Sequence, residues 1–346
     1  MAKKRIEYID AMRGFTMILV VYSHICHFCL GDSLLGFNRV FFLFRLPCFF
    51  FISGWLFGKV SQGGGRPSVG PIIRHKFMVQ IVPTFIFLLL LAPPPEFFHQ
   101  LGALKGGYWF TFVLFEFFLI YLFSVCCCWR FCWLVALAVS VGSFCFAMNQ
   151  NHLRLLAPGS PYLTPLLDVA GFLSIAVWRY YLFFYIGTWV RRHFDSFLQV
   201  TSRPLVIALI TIGFFAIALT DHPDSAVLEY FRFNLGGILG MFMVFTCFRL
   251  SAEWLKKIRL SRPLQYVGTR TLDIYLLHYF FLPRFLLPYS PQLHAYNSGL
   301  LEFFVIMLIA LVVLLLSLLA SYILRLSPFL ARYLFGVDTR KTEINN

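Results

Sequence analysis

The sequence predicts an all-α, polytopic membrane protein with about ten transmembrane helices and both termini in the cytoplasm. Three observations carry this expectation. First, 60% of the 346 residues are apolar and only 13% are charged, with 43 phenylalanines. A soluble chain averages about 25% charged residues, and a single aqueous core does not hide so much aromatic surface. Second, apolar segments near 10–29, 40–58, 77–95, 108–127, 130–149, 170–190, 203–220, 231–249, 267–287 and 300–324 are each long enough, or nearly so, for a hydrocarbon layer of about 30 Å. Third, the basic residues fall on alternate connections.

With the N-terminus inside, Lys3, Lys4 and Arg5, then Arg74 and Lys76, Arg191 and Arg192, the stretch from Arg249 to Arg270, and finally Arg325, Arg332, Arg340 and Lys341 all lie on one side. The other side is poor in base and carries the acidic loop 221–224 and Glu229. This is the positive-inside pattern. The net charge of +14 therefore reads as a topology signal, and a bilayer rather than nucleic acid is the expected partner.

The first segment holds Asp10 and Arg13 and lacks a small-residue cleavage pattern, so it is expected to stay as helix one rather than be removed. No soluble domain is expected beside the membrane part, and residues 1–346 read as one domain. The glycine-rich stretch 61–68 follows a membrane helix and lacks Gly-Lys-Ser/Thr, which makes it a linker rather than a phosphate-binding loop. The nine cysteines read as small hydrophobes. His24, Cys26, His27 and Cys29 point to different faces of one helix, so no metal site is expected.

Helix one carries Arg13 and, eleven residues later, His24. Eleven residues make three turns plus roughly 20°, which places both on nearly one face about 16 Å apart. Ionisable groups at membrane depth are costly unless they face the interior or water, which marks them as site candidates. Helix two contains Arg39 and Arg45, then Pro47 and Ser53-Gly54. Arg39 reads as interfacial and Arg45 as deeper, while Gly54 permits close helix approach. Glu116 sits halfway along helix four and calls for a buried arginine or histidine partner. Helix nine adds Asp273, Tyr275 and His278.

These residues resemble the integral membrane acyltransferase family 3, whose members include O-acetyltransferases of bacterial surface polysaccharides. The resemblance rests on Tyr8-Ile-Asp10 through Arg13-Gly14 and on to His24, then on Phe44-Arg45-Leu46-Pro47 through Ser53-Gly54. It continues at Trp109-Phe110, at Phe183-Phe184 through Gly187, and at Tyr266-Val-Gly268 through Ile274-Tyr275-Leu-Leu-His278. Two departures are visible: Arg45 stands where members often have histidine, and Phe77 and Gln80 occupy positions expected to be basic.

The resemblance implies transfer of an acetyl or other short acyl group from cytoplasmic acyl-coenzyme A, a co-substrate and not a resident cofactor, to a glycan hydroxyl. The acceptor would be a cell-surface glycan or its lipid-linked precursor, at the inner membrane of a bacterium. His24 is then the candidate general base, since a sugar hydroxyl is a poor nucleophile near neutral pH; a covalent acyl-His24 fits the same residues. Arg13 would face the donor with Asp10 orienting it, and Arg45 would stabilise an oxyanion or bind a substrate carboxylate. Trp109, Glu116, Tyr275 and His278 are acceptor-side candidates, with Tyr108 read as an aromatic-belt residue. Arg74 and Lys76 are donor-side candidates, and the basic stretch Lys256 to Arg262 offers further contacts of low specificity. The alternative is a secondary transporter or flippase whose path is Arg13, His24, Glu116 and Asp273.

Overall fold

The computed structural model describes residues 6–31, 37–58, 69–91, 105–127, 129–157, 160, 162–220, 224–295 and 298–337. The expected linker 61–68 and most of the acidic loop 221–224 lie outside them. Among the described residues there are helices and turns but no strand.

Among the described residues, seven helices or continuous helical stretches are long and apolar enough to cross a membrane. They are α1 (Glu7–Cys29), α2 (Asn38–Phe57), the stretch Val69–Leu91, α5 (Trp109–Cys127), α6 (Cys132–Leu156), α11 (Ala226–Leu250) and α16 (Gly299–Arg325). The stretch Val69–Leu91 is built from α3 (Val69–Lys76), a π turn at Phe77–Ile81 and α4 (Val82–Leu91). Two further helix pairs are long and apolar enough together but are bent, as in a broken span or a re-entrant loop: α7 (Leu163–Phe172) with Ile175–Arg192, by 47°, and α9 (Phe194–Thr201) with α10 (Pro204–Ala218), by 81°. In the first of these, α8 (Tyr181–Arg192) follows a 3-10 turn at Ile175–Tyr180.

The expected segment 267–287 is divided instead of continuous. It becomes the end of α13 (Ser261–Thr269), then α14 (Thr271–Phe281), then a 3-10 turn at Arg284–Tyr289. The short α12 (Ala252–Lys257) precedes it and α15 (Ser290–Ala295) follows. A final helix, α17 (Pro328–Phe335), starts with a Ser327 cap on the Leu330 amide.

Pro83 explains the π turn. It lacks an N–H, so a carbonyl in the preceding turn loses its partner, and the backbone widens until the Val82 amide donates to Phe77. Pro47, by contrast, is accommodated within α2 without ending it.

Burial follows the cost of polar groups in lipid. The window of α1 that holds Arg13 and His24 is 78% buried within the protein, whereas that of the strongly apolar α16 is 28% buried. Leu308, Leu315, Leu319 and Ile323 of α16 are exposed, as suits a helix whose solvent is hydrocarbon.

The chain divides into two compact units. Unit 1 comprises Met1–Ile52 and His193–Ile323, and unit 2 comprises Ser53–Arg192 and Leu324–Asn346. In unit 1, α1 packs along α13 through two glycines. A β-carbon on Gly14 would strike the Leu264 carbonyl, and one on Gly268 would strike the Asp10 carbonyl. Gly240 of α11 makes room for the rings of Phe44 and Phe214, which meet edge to face at 5.7 Å. The Arg39 and Arg232 guanidiniums both donate to the Thr220 carbonyl, just beyond the C-terminus of α10, where cations complement the helix dipole. In unit 2, Gly54 of α2 lies against the Phe184 carbonyl of α8, the close approach expected of Ser53-Gly54.

Backbone carbonyls do not yield as side-chain tips do. Gly14→Ala and Gly268→Ala are therefore each expected to destabilise the protein by about 1–3 kcal/mol or more, read as a lowered thermal midpoint in detergent. Gly142→Ala, in open space within α6, should instead raise it slightly, by up to about 1 kcal/mol.

Candidate active site

In unit 1, Gly14 and His24 are ten residues apart on α1, and Gly268 and His278 are ten residues apart across α13 and α14. Equal lengths of helix beyond one crossing point bring the two histidines level. Nδ1 of His24 lies 2.7 Å from Nε2 of His278, and the rings stack at 4.9 Å with 15° between their planes. Tyr279 covers both, 5.2 Å from His24 and 4.1 Å from His278. His278 is fully buried, while His24 keeps part of its surface open.

The geometry fixes the tautomers of the neutral pair. Nδ1 of His278 is 3.0 Å from the Ile274 carbonyl, which accepts only, so that nitrogen carries the proton. Nε2 of His278 is then the acceptor and Nδ1–H of His24 the donor. The lone pair of His24 is left on Nε2, oriented by a buried partner as a general base requires.

The other candidates of this unit fall as follows. Arg45 is buried, donates to Asn38 Oδ1 at 2.9 Å, stands 5.3 Å over Phe42, and exerts its charge on His24. Asp10 is buried beside Gly268, and Arg13, one turn on, is partly exposed. Tyr275 is buried with its ring 6.0 Å from His278. Asp273 accepts from Ser321 of α16 and pairs with Arg270 at 3.6 Å, so its contacts within the unit are structural ones.

Unit 2 holds the remaining candidates. Glu116 accepts from the Trp178 indole at 2.7 Å and interacts with Lys105, a different pairing from the arginine or histidine expected. Lys105 is fully buried, donates to Ser174 at 2.6 Å, and lies near the rings of Phe112 and Phe172. Burial pushes its ammonium below the ordinary lysine range, and the Glu116 carboxylate opposes that shift. Trp109 is half-buried and 6.5 Å from the Tyr180 ring. Tyr108 is fully buried, which corrects its reading as a belt residue. Lys76 stands 4.3 Å over the Phe118 ring and 5.5 Å over Phe57, and Arg74 is exposed.

Tyr279, Asn38 and Ser321, like the Glu116 partners Lys105 and Trp178, escaped the sequence reading. Tyr279 adjoins a flagged histidine, Asn38 is a fully buried amide at the start of α2, and Ser321 is a buried hydroxyl in a mainly apolar helix. For these three the only sequence signal was a polar or aromatic group within a membrane segment. Among the described residues, no three His, Cys, Asp or Glu side chains converge as a metal would require.

No curated protein and no solved structure matches the chain. The family model described as an acyltransferase domain, that of acyltransferase family 3, matches residues 6–326. This span runs through both units and includes every site candidate named above, and it favours group transfer over the transporter alternative. Matched over nearly its whole length, this helical membrane protein belongs to acyltransferase family 3, as a multi-pass membrane acyltransferase.

Proposed function

We propose that this protein is an O-acyltransferase that moves an acetyl or other short acyl group from acyl-coenzyme A to a hydroxyl of a surface glycan or its lipid-linked precursor. Its place would be the inner membrane of a bacterium. The observation that carries the reading is the His24–His278 pair at 2.7 Å. It leaves one imidazole nitrogen free as a base at membrane depth.

In this reading Nε2 of His24 takes the proton of the acceptor hydroxyl as its oxygen attacks the thioester carbonyl. The tetrahedral intermediate collapses by breaking the C–S bond, and the His24 imidazolium returns the proton to the departing thiolate. His278 steadies the imidazolium through the shared hydrogen bond. The Arg45 guanidinium, whose charge reaches His24, offsets the developing oxyanion. Arg13, nearer the basic end of α1, faces the donor, with Asp10 three residues before it. Trp109 and Glu116 are kept as candidates for contacts to the acceptor.

The test is transfer of label from acetyl-coenzyme A to a lipid-linked or polymeric glycan by membranes containing the protein; no labelled glycan with folded wild-type protein would overturn the reading. His24→Ala is expected to lower the rate by about 10²–10⁴-fold at unchanged expression. His278→Phe preserves a ring but removes the acceptor nitrogen. It should lower kcat by about 10²-fold, with KM for the donor little altered. Wild-type kcat in that variant would remove the orienting role.

A further inference from the structure

The basic end of unit 1 contains a cavity of about 880 Å3, lined by Glu7, Lys256, Arg259, Ser261, Arg262 and Gln265 among others. A second cavity of about 200 Å3 shares Glu7, Lys256 and Ser261 and continues along α1 past Tyr8 and Ala11. The larger volume lies within the range of small-molecule sites, and three cations and one carboxylate are among its lining residues.

The turn between α12 and α13 makes this arrangement. The Leu260 amide donates to the Leu255 carbonyl and the Arg259 amide to Lys256, both at 3.0 Å, which closes α12 around Arg259 at φ 59°. Glycine adopts that left-handed conformation at less cost. What the chain gains from arginine here is therefore its side chain and not the turn.

The three cations differ. Lys256 pairs with Glu253 at 3.1 Å and Glu7 at 3.4 Å, and these carboxylates hold its ammonium above the ordinary lysine range. Arg259 and Arg262 are exposed and have no carboxylate partner among the described residues. In unit 2, Lys76 and Arg191 instead lie against the aromatic faces of Phe118 and Trp55.

We propose that this cavity binds the phosphate groups of the donor nucleotide, with Arg259 and Arg262 as the anion contacts. The smaller cavity beside Tyr8 and Ala11 would then start the path of the acyl arm. The proposal rests on the acyl-coenzyme A reading above. The thirteen residues from Ala11 to His24 span about 20 Å of helix, the order of length of an extended acyl-pantetheine arm. Planar guanidiniums suit phosphate oxygens, which they bind in bidentate fashion. Anionic lipid headgroups present the same chemistry, so the test separates the two sources.

The full-length protein in nanodiscs of zwitterionic lipid is titrated with adenosine 3′,5′-bisphosphate and with free coenzyme A, neither of which can donate an acyl group. Saturable binding is expected, weakened by salt and reduced at least about 10-fold in the double variant R259Q/R262Q. Arg259→Gly relieves the left-handed turn, so it should fold at least as well as the wild type and still bind more weakly. Arg130→Gln, an exposed cation outside the cavity, should bind as the wild type does. Wild-type affinity in the double variant, or equal weakening by Arg130→Gln, would overturn the proposal. So would loss of wild-type binding in phosphatidylserine nanodiscs, because the cavity would then be a headgroup site. Arginine-dependent binding without acyl transfer would sink the functional reading and leave the cavity standing. Transfer with unaltered nucleotide binding in the variants would do the reverse.

Discussion

The contact on which the rest of unit 1 depends is that of two glycines. Gly14 and Gly268 let the backbones of α1 and α13 approach until each lacks room for a β-carbon. Side chains of any size would hold the helices apart, because carbonyl oxygens rather than flexible tips stand opposite. With the crossing point set, distance along each helix becomes a register. His24 and His278 lie ten residues beyond it and meet, and Leu30 and Ser290 join farther along, the serine hydroxyl donating to the Leu30 carbonyl at 2.7 Å. In a membrane, where no hydrophobic force draws helix to helix, small residues and interhelical hydrogen bonds are the forces available to hold such a register.

The same economy of polar groups shapes the rest. Helices facing lipid are nearly pure hydrocarbon, and α1, with the ionisable groups Arg13 and His24, is largely buried within the protein. Charges that remain near the membrane are placed on aromatic faces or on carbonyls at helix ends. Arg191 lies 4.5 Å over Trp55 and Lys76 4.3 Å over Phe118, while Arg39 and Arg232 share the Thr220 carbonyl. These contacts lower the cost of a cation near hydrocarbon, and Arg232 also pairs with Glu229 at 3.3 Å. Among the described residues, Arg259 and Arg262 have neither kind of partner, and both line a cavity.

Much of this was legible in sequence. Apolar length and composition disclosed a helical membrane protein, and the cost of charge in lipid singled out Arg13, His24, Arg45, Glu116 and His278 before any geometry was known. The partners of these residues were not legible, because they come from segments far apart in the chain. His24 and His278 are 254 positions apart, and Glu116 meets Trp178 from 62 positions away. Helix continuity was also misjudged from composition, since apolarity carries no record of a bend. The segment 267–287 is apolar enough on average to read as one span, yet the helix breaks near Arg270. The π turn before Pro83 was in principle readable from the proline; the bend between α9 and α10 has its signal at Arg203-Pro204, where the residue before proline is extended.

The proposed chemistry gives a reason for one helix to carry both ends of the site. The proposed transfer would require that a thioester and a hydroxyl meet at one point, although one reactant is bulky and anionic and the other need not enter the same compartment. A donor that stays at the basic end and extends only its narrow arm avoids drawing phosphates into hydrocarbon, where their desolvation would be prohibitive. A rigid helix that spans the gap fixes how long that arm must be. From Glu7 at the cavity to His24 is seventeen residues, about 26 Å, and the smaller cavity shortens the open distance by reaching Ala11. A transporter must open a path for its whole substrate, but a transferase built in this way opens one only for the acyl chain. The enclosure of α1 by its neighbours is therefore compatible with function, and a wide polar channel along Arg13 and His24 is not required.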